Sequence, residues 1–204
     1  MDFEIHSHRF AQSILETEEE FIPLWREIQH AILSISDEMI IEHFESKTTN
    51  QKSISRTLNE LLKENFTSLG WYEESFIFQD SNFQGNTWRL DFAKEFVSVE
   101  VGFNHGSVIA WNLLKPVIAS ELNHVKKAIQ TKVGVVISAT NELKKKGGFD
   151  SAIGSFEKYK DYLLPLNNQL TIPILLIGLK APTSFYIKHK KINGRNLGNI
   201  KLYI

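Results

Sequence analysis

The sequence lacks cysteine, which excludes disulfide scaffolds, thiolate zinc sites and thiol nucleophiles. It also has little net charge, formally -1, and 42% of its 204 residues are hydrophobic, so intrinsic disorder is excluded. The first ten residues lack a basic region followed by an apolar one, and no apolar run is long enough to span a bilayer. These absences predict a cytoplasmic protein without membrane contact, built as one domain over residues 1–204.

Acidic residues are missing from the C-terminal end of the chain. From Leu166 onward there is no Asp or Glu, whereas basic residues occur at Lys180, Lys188, Lys190, Lys191, Arg195 and Lys201. A chain end of one sign suggests contact with a polyanion, and a merely solvated basic tail explains it equally well. We therefore divide the domain into a helical part (1–70), a core (71–182) and a basic segment (183–204).

Hydrophobic spacing predicts two amphipathic helices in the first part of the chain. The first begins at Pro23, and its apolar face comprises Leu24, Ile28, Ala31, Ile32 and Ile35. The second ends near Gly70, and its apolar face comprises Ile54, Leu58, Leu61, Leu62 and Phe66. The polar stretch between them, residues 46–52, is predicted to be a loop.

The rest of the chain alternates between strand and helix patterns. Three strands, Phe76–Phe78, Thr87–Ala93 and Phe96–Phe103, are predicted to form an antiparallel meander. A helical region follows at Val108–Ile129, kinked or divided by Pro116. Two buried strands are predicted at residues 133–138 and 172–179, and the helix between them carries Ala152, Phe156, Tyr159 and Leu163 on one face. Strands joined through helices should be parallel, so the fold class is α/β, with a mixed central sheet flanked by helices.

The alternation of side chains brings two acidic residues together in this meander. Asp91 and Glu100 each lie between two apolar residues, so both side chains point away from the apolar face of their strands. If the strands pair through the tight turn at residues 94–95, the two carboxylates stand side by side on the same outer face. The sequence therefore predicts a pair of carboxylates within a few ångströms of each other.

Two carboxylates this close repel each other unless a cation lies between them. Mg²⁺ is suited to this position because it takes oxygen ligands and keeps several water molecules. It lowers the pKa of a bound water and stabilises the charge that develops on a phosphate. The alternative is that Glu100 pairs with Arg89 on a solvated sheet face and has no catalytic function.

A family resemblance favours the metal site. Asp91, followed nine positions later by Glu100-Val101-Gly102-Phe103, resembles the core motif of PD-(D/E)xK nucleases and, more narrowly, that of BglII/BstYI-type restriction endonucleases. Residues 22–28, 58–71 and 172–178 resemble further segments of the same family in the same order. The resemblance implies a restriction-endonuclease-like fold and a type II enzyme that hydrolyses double-stranded DNA as a homodimer. Its site would be a short palindrome, and the resemblance suggests one that contains GATC.

The resemblance also implies a set of site residues. Asp91 and Glu100 would be the catalytic metal ligands, and the carbonyl of Val101 would be a backbone ligand to Mg²⁺. A metal-activated water would attack the phosphodiester in line with the leaving 3′ oxygen. Asp91 would bridge the metal and the scissile phosphate, and Glu100 would help to orient the water.

The third position of the motif departs from the family. The family usually carries Gln there, and the wider superfamily Lys or Glu, but Gly102 offers no side chain. Asn104, His105, Lys94 and Lys115 are candidates for a replacement. An alternative is a DNA-binding protein of the same fold that has lost hydrolysis, and a more distant one is an acidic protein-interaction domain that never binds DNA.

DNA contacts are expected around this motif, because bases are read by side chains in the grooves and phosphates mainly position the duplex. The candidates for base contacts are Asn104, His105 and Ser107. The candidates for phosphate contacts are Lys47, Lys52, Arg56, Lys144, Lys145 and Lys146. Each of these basic residues is otherwise simply part of a solvated surface.

Overall fold

The computed structural model describes residues 1–46, 51–83, 85–121, 125–192 and 194–203. The helices are α1 (Ala11–Thr17), α2 (Ile22–Leu33), α3 (Asp37–Ser46), α4 (Ser55–Ser68), α5 (Ile109–Ser120), α6 (Asn141–Lys146) and α7 (Phe156–Leu163). The strands are β1 (Phe3–His8), β2 (Tyr72–Phe76), β3 (Arg89–Lys94), β4 (Val97–Val101), β5 (Val133–Ala139), β6 (Ile174–Leu179), β7 (Phe185–Ile192) and β8 (Arg195–Leu202).

Six strands form one mixed sheet in the order β1-β6-β5-β4-β3-β2. Strands β4, β5 and β6 are parallel, and the pairs β1–β6, β3–β4 and β2–β3 are antiparallel. The remaining strands, β7 and β8, pair with each other in a separate antiparallel ribbon. The predicted fold class, α/β with a mixed sheet flanked by helices, is confirmed.

Both faces of the sheet are covered by helices. Strands β4, β5 and β6 are buried along their whole length, as expected for parallel strands with helices on both sides. On one face, Val97, Val99 and Val101 of β4 pack with side chains of α1–α4 in the main core. On the other face, a second core forms between the sheet and helices α5 and α7. Glu100 points to this second face and is buried there, so the face is not solvated, as it would be in the alternative in which Glu100 pairs with Arg89.

Several predicted elements differ from those observed. The first meander strand is Tyr72–Phe76 rather than Phe76–Phe78, because this edge strand exposes polar residues and lacks hydrophobic alternation. Helix α5 ends at Ser120, whereas we predicted helix to Ile129. Residues 125–129 are not helical, and Lys127 forms an isolated antiparallel bridge with Phe78. Strand β1 and the β7–β8 ribbon were missed. The predicted loop at 46–52 lies mostly outside the described residues.

In the part of the chain that the structure describes, no helix has the length and apolar character needed to cross a membrane.

Candidate active site

The predicted pair of carboxylates lies where strands β3 and β4 stop pairing. Their ladder runs from Lys94↔Val97 to Phe92↔Val99 and ends there. Beyond it, side chains replace the backbone as hydrogen-bond partners. The Val101 amide donates to Asp91 Oδ2 at 2.6 Å, and the Asp91 amide lies 3.4 Å from Glu100 Oε1. Asp91 and Glu100 are therefore adjacent on neighbouring strands.

The two carboxylates differ in their exposure. Glu100 is only 1% exposed, whereas Asp91 is half-buried and lines a cleft of about 220 Å³. The cleft is also lined by Val101 and Asn104 at the end of β4, and by residues of α4 and β2: Asn59, Lys63, Glu73 and Glu74. Asp91 thus faces the opening through which a ligand would approach, and Glu100 lies behind it.

Lys115 on helix α5 supplies the positive charge at this site. Its ammonium forms an ion pair with Glu100 Oε2 and donates to the carbonyl of Arg89 at 3.1 Å. The alternative in which Glu100 pairs with Arg89 on a solvated face is wrong. The Arg89 guanidinium instead lies 3.8 Å from Glu74 Oε2, and Glu100 is covered by the helix that carries Lys115.

Burial raises the pKa of both carboxyl groups. For Glu100 the pKa rises well above its usual range because of burial and then the negative charge of Asp91, while Lys115 opposes the shift. For Asp91 burial also raises the pKa, and Lys115 and the Val101 amide oppose it. One ammonium therefore balances two carboxylates, and the site is short of positive charge when both are ionised.

The donor atoms fit a hard divalent cation. The described residues contain no cluster of three or more His, Asp or Glu side chains that could hold a metal ion. Asp91, Glu100 and the Val101 carbonyl supply two carboxylates and one backbone oxygen. Mg²⁺ is held in this way by one or two carboxylates together with water and substrate phosphate. A divalent cation here would also remove the charge deficit of the carboxylate pair.

The candidates for the missing third side chain are placed differently. The Lys94 ammonium is 2.8 Å from both carboxylate oxygens of Glu27 and therefore serves another contact. His105 bonds to Ser107 within its own loop. Asn104 lines the cleft beside Asp91, and Lys115 reaches the carboxylate pair directly. Of the four, Lys115 is the one that contacts Glu100.

The residues predicted to read bases lie together in the loop after β4. Asn104, His105 and Ser107 are exposed, and His105 Nδ1 is 2.8 Å from Ser107 Oγ. The loop is tied to residues 150–154, since the Gly106 amide donates to Ala152 at 2.7 Å and the Gly154 amide donates to Asn104 at 3.1 Å. This exposed loop adjoins the cleft that Asp91 lines.

Most of the residues predicted to contact phosphates already form ion pairs or hydrogen bonds within the chain. Ion pairs join Lys52 to Asp150 at 2.8 Å, Arg56 to Glu60 at 2.9 Å and Lys146 to Glu142 at 2.7 Å. Lys144 donates to the carbonyl of Ile153, and Lys145 is exposed. Lys47 lies outside the described residues. Lys52 and Lys144 both contact the 150–154 segment that holds the exposed loop, whereas Arg56 lies on α4.

Sequence reasoning placed Tyr159 only on the apolar face of a helix. It did not anticipate Asn112 or the cleft residues of α4 and β2. Asn112 and Lys115 are three positions apart on α5, which places them on one helix face. That spacing could have shown that the two polar residues act together, but not which strand they face.

Comparison with known proteins gives a family and a fold. The family described as "Restriction endonuclease BglII/BglIII" matches residues 3–179. The chain is similar to the crystal structure of BglII complexed with a DNA 16-mer, with a TM-score of 0.69, 20% identity and 100% of both chains covered. The structure of free BglII matches with a TM-score of 0.58, again with 20% identity and 100% of both chains covered. No curated relative matches the chain by sequence.

Proposed function

The chain belongs to the BglII/BglIII restriction endonuclease family, whose members are type II site-specific deoxyribonucleases, and from this premise we propose how it acts. It hydrolyses double-stranded DNA in the cytoplasm, at a short palindromic site, using a water molecule activated by Mg²⁺. The observation that carries this proposal is the adjacency of Asp91 and Glu100 at the separated ends of β3 and β4, with Asp91 open to a cleft.

Three groups of the chain would hold the cation: Asp91, Glu100 and the carbonyl of Val101. When bound, Mg²⁺ supplies a water of lowered pKa and a positive charge beside the phosphate. Asp91 faces the cleft and would therefore be the carboxylate that contacts both the cation and the scissile phosphate. Glu100 is buried behind it, and its ion pair with Lys115 favours the ionised carboxylate and fixes its orientation.

DNA would lie across the edge of the sheet at which strands β4, β5 and β6 end. The exposed loop with Asn104, His105 and Ser107 adjoins the cleft there and is suited to base contacts. The β7–β8 ribbon docks at the same edge, where the Gly198 amide donates to the Gln51 carbonyl at 2.8 Å. Its exposed lysines, together with Lys52 and Lys144–Lys146, are suited to phosphates.

A homodimer follows from the symmetry of a palindromic site, because two copies related by a two-fold axis would each cut one strand. The identity of the palindrome, including a GATC centre, is part of this proposal. The family's DNA-bound relative supports binding of a duplex, since that crystal structure is of BglII with a DNA 16-mer.

The second candidate function is DNA binding without hydrolysis, and the absence of a side chain at Gly102 is what favours it. Incubation with mixed-sequence duplex DNA and Mg²⁺ separates the two. Discrete fragments support the endonuclease. Salt-dependent retention of intact DNA would favour the impaired protein instead, and no retention would contradict both.

Asp91→Asn tests the site itself. The amide keeps an oxygen for the Val101 hydrogen bond but removes the charge that holds the cation. Cleavage should be lost, while retention of DNA in Ca²⁺ persists. Asp161→Asn, at an exposed position on α7, is the matched control and should cleave normally. Undiminished cleavage by Asp91→Asn would overturn the assignment of the site.

A further inference from the structure

Tyr159 occupies the place that the motif's third side chain would take. Gly102 comes two residues after Glu100. Because side chains alternate along an extended chain, a side chain at residue 102 would project towards the face that carries Glu100. A Cβ atom built on Gly102 would overlap the Tyr159 hydroxyl oxygen and lie 2.8 Å from its Cζ. No side chain can therefore begin at residue 102 while the tyrosine is in place. What fills that space instead is a phenol.

A second residue fixes the hydroxyl group. Tyr159 is 1% exposed and Asn112 is 4% exposed, so the contact between them is shielded from water. Asn112 Nδ2 donates to the Tyr159 hydroxyl oxygen at 2.7 Å. Asn112 lies one helical turn before Lys115. The same helix thus holds the Tyr159 hydroxyl through Asn112 and places the Lys115 ammonium beside Glu100.

The hydroxyl hydrogen of Tyr159 remains available as a donor. Within the described part of the chain, the oxygen accepts from Asn112 and no acceptor is found for its own hydrogen. A buried donor without an acceptor is unfavourable, so a water molecule or ligand oxygen is expected beside it. Burial raises the pKa of Tyr159, and the charges of Glu100 and Asp91 raise it further, so the phenol keeps its proton at neutral pH.

We propose that the Tyr159 hydroxyl, held by Asn112, replaces the missing third side chain by donating a hydrogen bond to the water that attacks the phosphate. This inference rests on the proposed endonuclease function and deepens it. Lys115 and Tyr159 then have separate roles at the site. Lys115 balances the charge of Glu100, with its ammonium engaged by that carboxylate and by the Arg89 carbonyl, and Tyr159 orients the water.

Tyr159→Phe removes only the hydroxyl and is the first test. Two quantities are measured: the single-turnover cleavage rate in Mg²⁺, and the dissociation constant for the same DNA in Ca²⁺. We expect the rate to fall by about 10- to 100-fold with the dissociation constant unchanged. Tyr162→Phe, on the same helix and partly buried, is the control and should alter neither quantity. A tyrosine that served packing alone would leave the rate of the folded variant unchanged.

An exchange of side chains keeps the proposal testable even if Tyr159→Phe folds poorly. Tyr159→Ala empties the space and should cleave slowly. Adding Gly102→Gln to it places the family's usual side chain in that space, and we expect the double variant to cleave at least about tenfold faster than Tyr159→Ala alone. A double variant that folds but gains no rate would overturn the replacement.

The outcomes separate this inference from the function on which it rests. If the wild type cleaves, Asp91→Asn does not and Tyr159→Phe cleaves at the wild-type rate, the role of Tyr159 is refuted and the endonuclease assignment stands. If the wild type does not cleave any duplex in Mg²⁺, both are overturned.

Discussion

Two charged regions lie at the same edge of the sheet, the carboxylate pair and the β7–β8 ribbon, and their charges differ in burial and in pairing. At the carboxylate pair, Glu100 is buried, Asp91 is half-buried, and each has a specific partner: Glu100 pairs with Lys115, and Asp91 accepts from the Val101 amide. On the β7–β8 ribbon, charges are exposed and of one sign. Lys188, Lys190 and Lys201 are all exposed there, and none has an acidic partner in the described residues.

The difference follows from the dielectric environment. Charges removed from water interact strongly at short range and are unfavourable without a partner, so a buried site must be assembled from matched groups. Charges in water are screened within about 10 Å, so like charges can stand side by side at little cost. Their summed field still attracts a polyanion. The buried region is therefore suited to chemistry and the ribbon to binding.

Removing the partner of the buried charge should have the largest effect. Lys115→Met leaves Glu100 buried without a counter-charge, and we expect a loss of about 3–5 kcal/mol in the free energy of unfolding at neutral pH. The control is Lys132→Met, which breaks the exposed pair between Lys132 and Glu20, 2.8 Å apart. That change should cost at most about 1 kcal/mol. Urea denaturation of both variants measures the contrast, and equal losses would show that burial does not distinguish the two pairs.

The pH dependence of stability should also show the effect of burying the carboxylate pair. The folded-state pKa of Glu100 is raised, so its contribution to stability is fully present below the ordinary pKa of a glutamate and is lost as the pH rises through the folded value. Asp91 contributes with the same sign. In EDTA, the wild type should therefore lose stability relative to Glu100→Gln as the pH rises from about 5 to 8.

Urea denaturation across this pH range gives the difference between the two proteins at each pH. Glu100→Gln is the reference because it cannot ionise and has nearly the same shape. Adding Ca²⁺ should reduce the loss, since a bound cation favours the ionised carboxylates. Parallel profiles for the two proteins in EDTA would contradict the burial of an ionisable group at this position.

The carboxylate pair could be predicted from the sequence because everything it needs is local. Alternation along a strand and a two-residue turn determine that Asp91 and Glu100 face the same way and lie opposite each other. The positions of Lys115 and Tyr159 relative to the carboxylate pair could not be predicted in this way. Both side chains reach the pair from helices, and their positions depend on how α5 and α7 pack on the sheet, which no local pattern specifies.

The same reasoning explains what was missed elsewhere in the fold. The buried strands β5 and β6 were predicted because they are continuous apolar runs, and two long amphipathic helices were predicted from their spacing. The ribbon was read as a basic segment because the run from Lys188 to Lys191 contains no apolar residue. Among the ribbon residues whose burial the structure describes, Phe185 and Ile187 on the inner face are the buried ones, too few for a strand pattern to be recognised.

The contact between Gly102 and Tyr159 predicts a smaller effect than the loss of Lys115. Gly102→Ala places a methyl group against the buried phenol, and overpacking of this kind typically costs about 1–3 kcal/mol. Gly85→Ala is the matched control, because a Cβ atom there would meet nothing within 4 Å. Thermal or urea denaturation compares the two. A Gly102→Ala protein as stable as the control would mean that Tyr159 yields easily, and the space would then be open to a side chain.

Substitutions of the ribbon lysines should have the smallest effect on turnover, but they should change the salt dependence of DNA binding. If Lys188, Lys190 and Lys201 contact phosphates, each change to Ala should lower the slope of log affinity against log salt by about 1. Cleavage at saturating DNA should not change, because these residues lie outside the carboxylate pair. Lys180→Ala is the control, since Lys180 pairs with Asp2 at 2.8 Å and should leave the slope unaltered. Unchanged slopes for all three ribbon variants would mean that the exposed charge of the ribbon is merely solvated, and that DNA is held by the loop after β4 and its neighbours alone.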